Sequence, residues 1–124
     1  MLARLRQAGA LAALGRKDEA LAAYDAIAAD TNVSQPYRAL ATLLYAENGL
    51  GKAPASELIK RLEPLTASDS PWRFSALELT ALAHLNSGDT AKARALLLTL
   101  ADDPAAPAGV RGRAANILLT LPAS

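Results

Sequence analysis

Cysteine is absent, so neither a disulfide nor thiolate chemistry can operate, and the cellular compartment is left undetermined. Histidine occurs once, at His84. Aromatic residues make up 4% of the chain and β-branched residues are few, which removes the usual material of a sheet. No apolar run approaches the roughly twenty residues of a membrane span. The opening stretch MLARLRQAGA lacks the plan of a signal peptide, so the chain as given is expected to be soluble. An excess of one charge is also missing, since 13 basic residues face 12 acidic ones for a net charge of +1. A surface that neutralises several phosphates needs clustered Lys and Arg, so a nucleic-acid partner is not expected. The glycines stand apart and make no phosphate-cradling loop, and no cofactor is expected.

What is present is alanine and leucine within a hydrophobic content of 52%. Both are strong helix formers, and 124 residues suffice for one domain with a real core. Helical periodicity and punctuation divide the chain into seven segments. The first runs from Leu2 to Leu14 and stops at Gly15, which suits the left-handed position after a helix end. The second covers Lys17 to Ala29, with Asp18 and Glu19 near the positive end of its dipole. The third starts near Gln35, with Ser34 as cap and Pro36 in the first turn, and ends at Asn48-Gly49. The fourth occupies Pro54 to Glu63 and should end or kink at Pro64. Ser70-Pro71 begins the fifth, which Gly88 ends and which therefore reads as one turn longer than the third. The sixth spans Thr90 to Ala101 and the last Ala108 to Leu121. No segment alternates with period two.

The helices repeat one another. PYRALATLLY from Pro36 returns as PWRFSALELTALAH from Pro71 and, more weakly, as PAGVRGRAANILL from Pro107. Ala8, Leu11 and Gly15 recur as Thr42, Tyr45 and Gly49, then as Ala81, His84 and Gly88. In the alternate helices Ala20, Tyr24 and Ile27 recur as Ala55, Ile59 and Leu62, then as Ala93, Leu97 and Leu100. These spacings place each trio on one helical face, where a small residue lets two helices approach and a large one fills the gap beside it. The expectation is an all-α, α–α superhelix in a single domain over 1–124. Its repeats fall at 1–33, 34–68 and 69–104, and a capping helix at 106–121.

At these residues the sequence resembles a tetratricopeptide repeat. Gly15, Asp18, Glu19, Ala20 and Tyr24 match the second half of that motif, and Gly88-Asp89 with Ala93 match it again. The middle repeat departs from it through the longer turn in GLGKAPASELI. Over nearly the whole chain, the P-aromatic-Arg starts and the passage from Gly88-Asp89 to Asp103-Pro104 are similar to the repeat domain of the bacterial ancillary Sec-translocon subunit family. The resemblance implies a domain on the periplasmic side of the inner membrane, and a chain that is a fragment lacking an N-terminal anchor. It also implies translocon subunits, periplasmic chaperones or exported clients as partners. The alternative is a cytoplasmic tetratricopeptide adaptor or assembly subunit unrelated to export.

Convergent catalytic chemistry is scarce, and no enzyme activity is expected. His84 sits at a large-residue position equivalent to Leu11 and Tyr45, which suits a structural role; two carboxylates meeting it in a pocket would be needed to argue otherwise. Asp18-Glu19 and Asp102-Asp103 lie at helix boundaries, where dipole effects explain them. Arg38, Arg73 and Arg111 recur near helix starts, with Asp30, Asp69 and Asp103 just upstream. They read either as inter-repeat salt bridges or solvated charge, with those aspartates as the compensating groups, or as a ladder for acidic partner segments. Tyr37, Trp72 and Phe74 beside them are expected to pack between repeats. In tetratricopeptide arrays the first helix of each pair lines a groove. Opposite the assigned packing face, the third helix offers Ala39, Leu43, Ala46 and Glu47, and the fifth offers Ser75, Glu78, Leu82 and Asn86. The candidate partner-binding set is therefore Arg38, Ala39, Leu43, Glu47, Arg73, Glu78, Leu82 and Asn86, on a floor either open to an amphipathic segment or filled by a terminal helix. The first helix is expected to leave Leu2 and Leu5 uncovered, which points to a homodimer through that face.

Overall fold

A computed structural model describes residues 2–122. Its helices are α1 (Leu2–Ala13), α2 (Lys17–Ala29), α3 (Gln35–Gly49), α4 (Ala55–Leu62), α5 (Arg73–Asn86), α6 (Thr90–Asp102) and α7 (Ala108–Thr120). A 3-10 turn at Glu63–Thr66 follows α4, as Pro64 requires. No strand occurs among the described residues, and no helix there is long and apolar enough to cross a membrane. The chain forms two compact units, Met1–Ala53 and Pro54–Ser124.

In the first unit α2 packs against both α1 and α3. Ala20, Tyr24 and Ile27 are buried along one face of α2, with Ala20 wholly so. In the second unit α5 packs against α4 and the 3-10 turn as well as α6 and α7. Ala81, Leu97, Leu100, Val110 and Ala114 form its buried cluster, and Phe74, Leu77 and Ile117 pack on it. Each fully buried leucine of this kind contributes about 1.5–3 kcal/mol. The face of α6 follows the expected trio, because Ala93, Leu97 and Leu100 are all enclosed.

The turns of the two units are copies. Gly15 adopts φ +79° and Gly88 φ +85°, each in the left-handed region that glycine enters without a Cβ penalty. The next amide closes back on the helix in both places, Arg16 N donating to Leu11 O at 2.9 Å and Asp89 N to His84 O at 2.9 Å. The following loops match as well. Asp30 and Asp103 each end a helix with a carboxylate that accepts the N–H two residues on, from Asn32 and Ala105, at 2.9 Å in both cases. Each aspartate carbonyl then takes the next amide, from Val33 at 3.0 Å and Ala106 at 3.1 Å, and both of those side chains are buried. Helix–turn–helix–loop–helix thus recurs at a constant offset, Gly88 lying 73 residues after Gly15.

Several sequence expectations are corrected. The buried trio of the middle repeat is Leu58, Leu62 and Leu65, not Ala55, Ile59 and Leu62. Leu65 lies beyond the helix in the 3-10 turn, so the face continues past Pro64. Helix α5 starts at Arg73 and not at Pro71, because the Ser70 hydroxyl accepts the Trp72 N–H at 3.1 Å and draws Pro71 and Trp72 into a turn. It has 14 residues against 15 in α3, so it is not the longer helix. Gly49 stays helical and buried, and Gly51, at φ +80°, makes the left-handed turn. Ser34 occupies the cap position of α3 without a side-chain capping bond. Leu5 is buried while Leu2 is 55% exposed, so only one of the two leucines expected bare on α1 is bare.

Ala93→Leu is expected to force the α6 contact apart and cost about 1–3 kcal/mol. Gly112→Ala, whose new methyl meets nothing within 4 Å, should gain about 0.5–1 kcal/mol from helix propensity. Urea unfolding of both variants checks the pair; an unchanged Ala93→Leu midpoint would refute the close contact.

Candidate functional site

The second unit carries a cleft of about 380 Å³ lined by Ile59, Glu63, Thr66, Leu77, Thr80, His84, Lys92, Ala95 and Leu96. Its walls follow from local structure. Pro64 halts α4 and turns the chain, so that Glu63 and Thr66 sit in the 3-10 turn, where the Thr66 hydroxyl donates to Glu63 O at 2.7 Å. Leu77, Thr80 and His84 are spaced three and four apart and share one face of α5. Lys92, Ala95 and Leu96 come from the start and middle of α6.

Most of the polar groups in the cleft already have local partners. The Thr80 hydroxyl is buried and donates to Ala76 O at 2.7 Å. Lys92 Nζ lies 3.7 Å from Asp89 Oδ2, and Asp89 also caps α6 by accepting the Lys92 N–H at 3.3 Å. The His84 carbonyl accepts the Ser87 hydroxyl at 2.9 Å, tying the α5 end to the turn, while its half-buried side chain lines the cleft. The result is an apolar trough edged by one carboxylate, one imidazole and one ammonium. That volume falls in the range of about 300–1,000 Å³ typical of binding pockets. One carboxylate, not two, shares the lining with His84. Among the described residues no three His, Cys, Asp or Glu side chains converge to hold a metal ion.

A second, more polar recess of about 350 Å³ lies in the first unit, lined by Arg4, Asp30, Asn32, Val33, Ser34 and Tyr37. Arg4 Nη1 donates to Asp30 Oδ2 at 2.9 Å. This bond, followed by the Asn32 N–H, holds the Asp30 carboxyl below the ordinary carboxylate range.

None of the eight residues expected to bind a partner lines either cavity. Ala39 is 4% exposed and Leu43 6%, so both belong to the buried interior and not to an open floor. Glu47 is exposed, and its charge adds to burial in pushing the Tyr24 hydroxyl above its ordinary range. Glu78 is gripped from α7 by Arg113, whose Nε and Nη2 donate at 2.6 and 3.0 Å. An ion pair with one partner this exposed contributes about 1 kcal/mol at most. Leu82 is half-buried and Asn86 exposed.

The arginines do not pair with the upstream aspartates. Arg73 Nη1 donates to Ser68 O at 3.0 Å and its guanidinium lies 4.3 Å from the centre of the Phe74 ring. Arg111 Nε donates to Ala106 O at 3.1 Å. Both therefore reach back five residues to a loop carbonyl. Arg38 Nε is enclosed and has no hydrogen-bond partner. Phe74 packs on the core cluster of the second unit, while Tyr37 is 43% exposed.

Sequence reasoning missed the cleft because its walls come from a proline-induced turn and two helix faces with unremarkable residues. The one available signal was His84, a polar residue at a position that elsewhere holds Leu11 and Tyr45. No protein-family model matches the chain, and neither a curated protein nor a solved structure matches it.

The Asp30 pairing has a definite pH signature. A depressed carboxyl contributes stability fully above the ordinary aspartate value of about 3.9, and that contribution is lost as pH falls through the lowered folded value. Arg4→Met should move the Asp30 titration midpoint, followed by carboxyl NMR, upward toward the ordinary range. An unmoved midpoint would show that Arg4 is not the cause.

Proposed function

We propose that the chain is a non-catalytic protein–protein interaction module of tetratricopeptide type, an α–α superhelix of three helix pairs closed by α7. The observation that carries this reading is the repeated unit. Two helical hairpins share the same glycine turn, the same aspartate loop and the same small–large–large buried face, and a stacked-repeat protein needs such units. On the resemblance in its repeats, the module belongs to the periplasmic side of a membrane-anchored ancillary translocon subunit. There it engages translocon subunits, chaperones or exported clients.

The cleft of the second unit is the contact point this reading favours. Its apolar walls accept a bulky side chain of a partner, and Glu63 and Lys92 at its edges offer charges of both signs to flanking residues. Its single carboxylate beside a single histidine fits recognition better than acid–base chemistry.

A photo-reactive residue placed at Ala95, an exposed position on the cleft wall, tests the proposal in a bacterium expressing the protein. Crosslinks to translocon subunits or periplasmic chaperones, lost when Leu96→Arg is added, are the expected result. Crosslinks confined to cytoplasmic assemblies would favour the adaptor alternative, and a cleft that crosslinks to nothing would refute this contact point.

A further inference from the structure

The cleft of the second unit has few polar groups, and its hydroxyls are already bound within the chain. The Thr66 hydroxyl donates to Glu63 O and the Thr80 hydroxyl to Ala76 O, each at 2.7 Å, so neither has a proton left to offer. Glu63, His84 and Lys92 remain as the polar side chains of the lining. The two charged ones are not equivalent. Lys92 belongs to the turn beside it, where its Nζ lies 3.7 Å from Asp89 Oδ2. The first unit has the same pair with its signs exchanged. Arg16 and Glu19 stand 73 residues before Asp89 and Lys92, and Arg16 Nη2 donates to Glu19 Oε1 at 2.7 Å. Acid and base have traded places while the pairing has stayed, so the ion pair is part of the hairpin turn in both units. A lysine held by its own aspartate has little net charge to give a partner.

Glu63 is the opposite case. It is exposed, and no ion pair involves its carboxylate among the described residues. Arg61, two residues before it, is engaged by Glu57, with Nη2 lying 3.0 Å from Oε1. Lys60 is exposed and does not line the cleft. Glu63 also stands at the C-terminal end of α4, where the negative end of the helix dipole adds to the carboxylate. A cation arriving at this edge is favoured by both, and an anion is opposed by both.

We propose that the cleft selects a basic partner: a protein segment carrying a bulky aliphatic residue beside an arginine or lysine. The aliphatic side chain fills the trough between Ile59, Leu77 and Leu96, and the cation pairs with Glu63. An acidic segment of the same shape meets like charge at Glu63 and at the end of α4, and is turned away. This selectivity rests on the reading of the cleft as a partner contact and adds to it the sign of the partner's charge.

The probes are two blocked peptides, acetyl-Gly-Ser-Leu-Ser-Arg-Gly-amide and its counterpart with glutamate in place of the arginine. NMR titration of the full chain at low ionic strength should shift amides of α5 and α6 around the cleft, with the arginine peptide binding about threefold tighter or more. Glu63→Gln, at an exposed position, should remove the difference, and Glu63→Lys should reverse it. Lys92→Gln should leave the arginine peptide ahead. Equal affinities, tighter binding of the glutamate peptide, or a preference that follows Lys92 instead of Glu63 would overturn the proposal while leaving the cleft standing as a contact point. The proposal also falls if neither peptide shifts the cleft residues, and the Ala95 crosslinks then decide by themselves whether the cleft meets a partner.

Discussion

Two alanines set the geometry on which the hairpins depend. Ala20 and Ala93 each stand in the first turn of the second helix of a pair, and each is wholly buried. A side chain without a γ-carbon lets the neighbouring backbone come close. The larger residues four and seven positions on, Tyr24 and Ile27 or Leu97 and Leu100, then fill the space that opens along the crossing. The glycine turns serve the same contact. A left-handed residue at Gly15 or Gly88 reverses the chain in the fewest residues, so the alanine arrives opposite the helix just completed. Burial supplies the stability, but the small residue sets the spacing at which burial occurs.

This explains which parts of the structure were legible in the sequence. Helix boundaries set by glycine, by aspartate or by a proline in a first turn follow from local chemistry. The span Lys17–Ala29 and the start of α6 at Thr90 were read off directly. Faces were legible where a small residue marked the register, as at Ala20 and Ala93. In α4 no such mark exists. Ala55 looked like the small member of its trio, but the helix rotates so that Leu58 takes that place and the face continues into the 3-10 turn at Leu65. The start of α5 departs from expectation for a related reason. Ser70 and Pro71 make a good helix-start pair, and only the hydroxyl bond from Ser70 to the Trp72 N–H shows that the serine closes a turn instead.

The candidate site was less legible because it depends on relations between elements. The expected groove residues were chosen by assigning one face of α3 and of α5 to packing and the opposite face to solvent. The assignment fails on α3, where Ala39, Leu43 and Ala46, on the face expected to be open, are buried. On α5 the face bearing Leu77, Thr80 and His84 lines the cleft, yet nothing in those three residues announces a wall. The cleft exists because Pro64 turns the chain beside them.

The arginines show how far recurrence can be trusted. Arg38 and Arg111 each follow a loop-forming aspartate by eight residues, and their loops have the same hydrogen bonds. Arg111 nevertheless holds the Ala106 carbonyl while Arg38 Nε holds nothing. Repetition in sequence reproduces bonds made within a few residues, because those depend on the local backbone alone. It does not reproduce what lies across from a side chain, because the neighbouring element differs from place to place. Equivalent residues can therefore have unequal surroundings, as the buried Ala76 and Ala83 and the exposed Ala3 and Ala10 do.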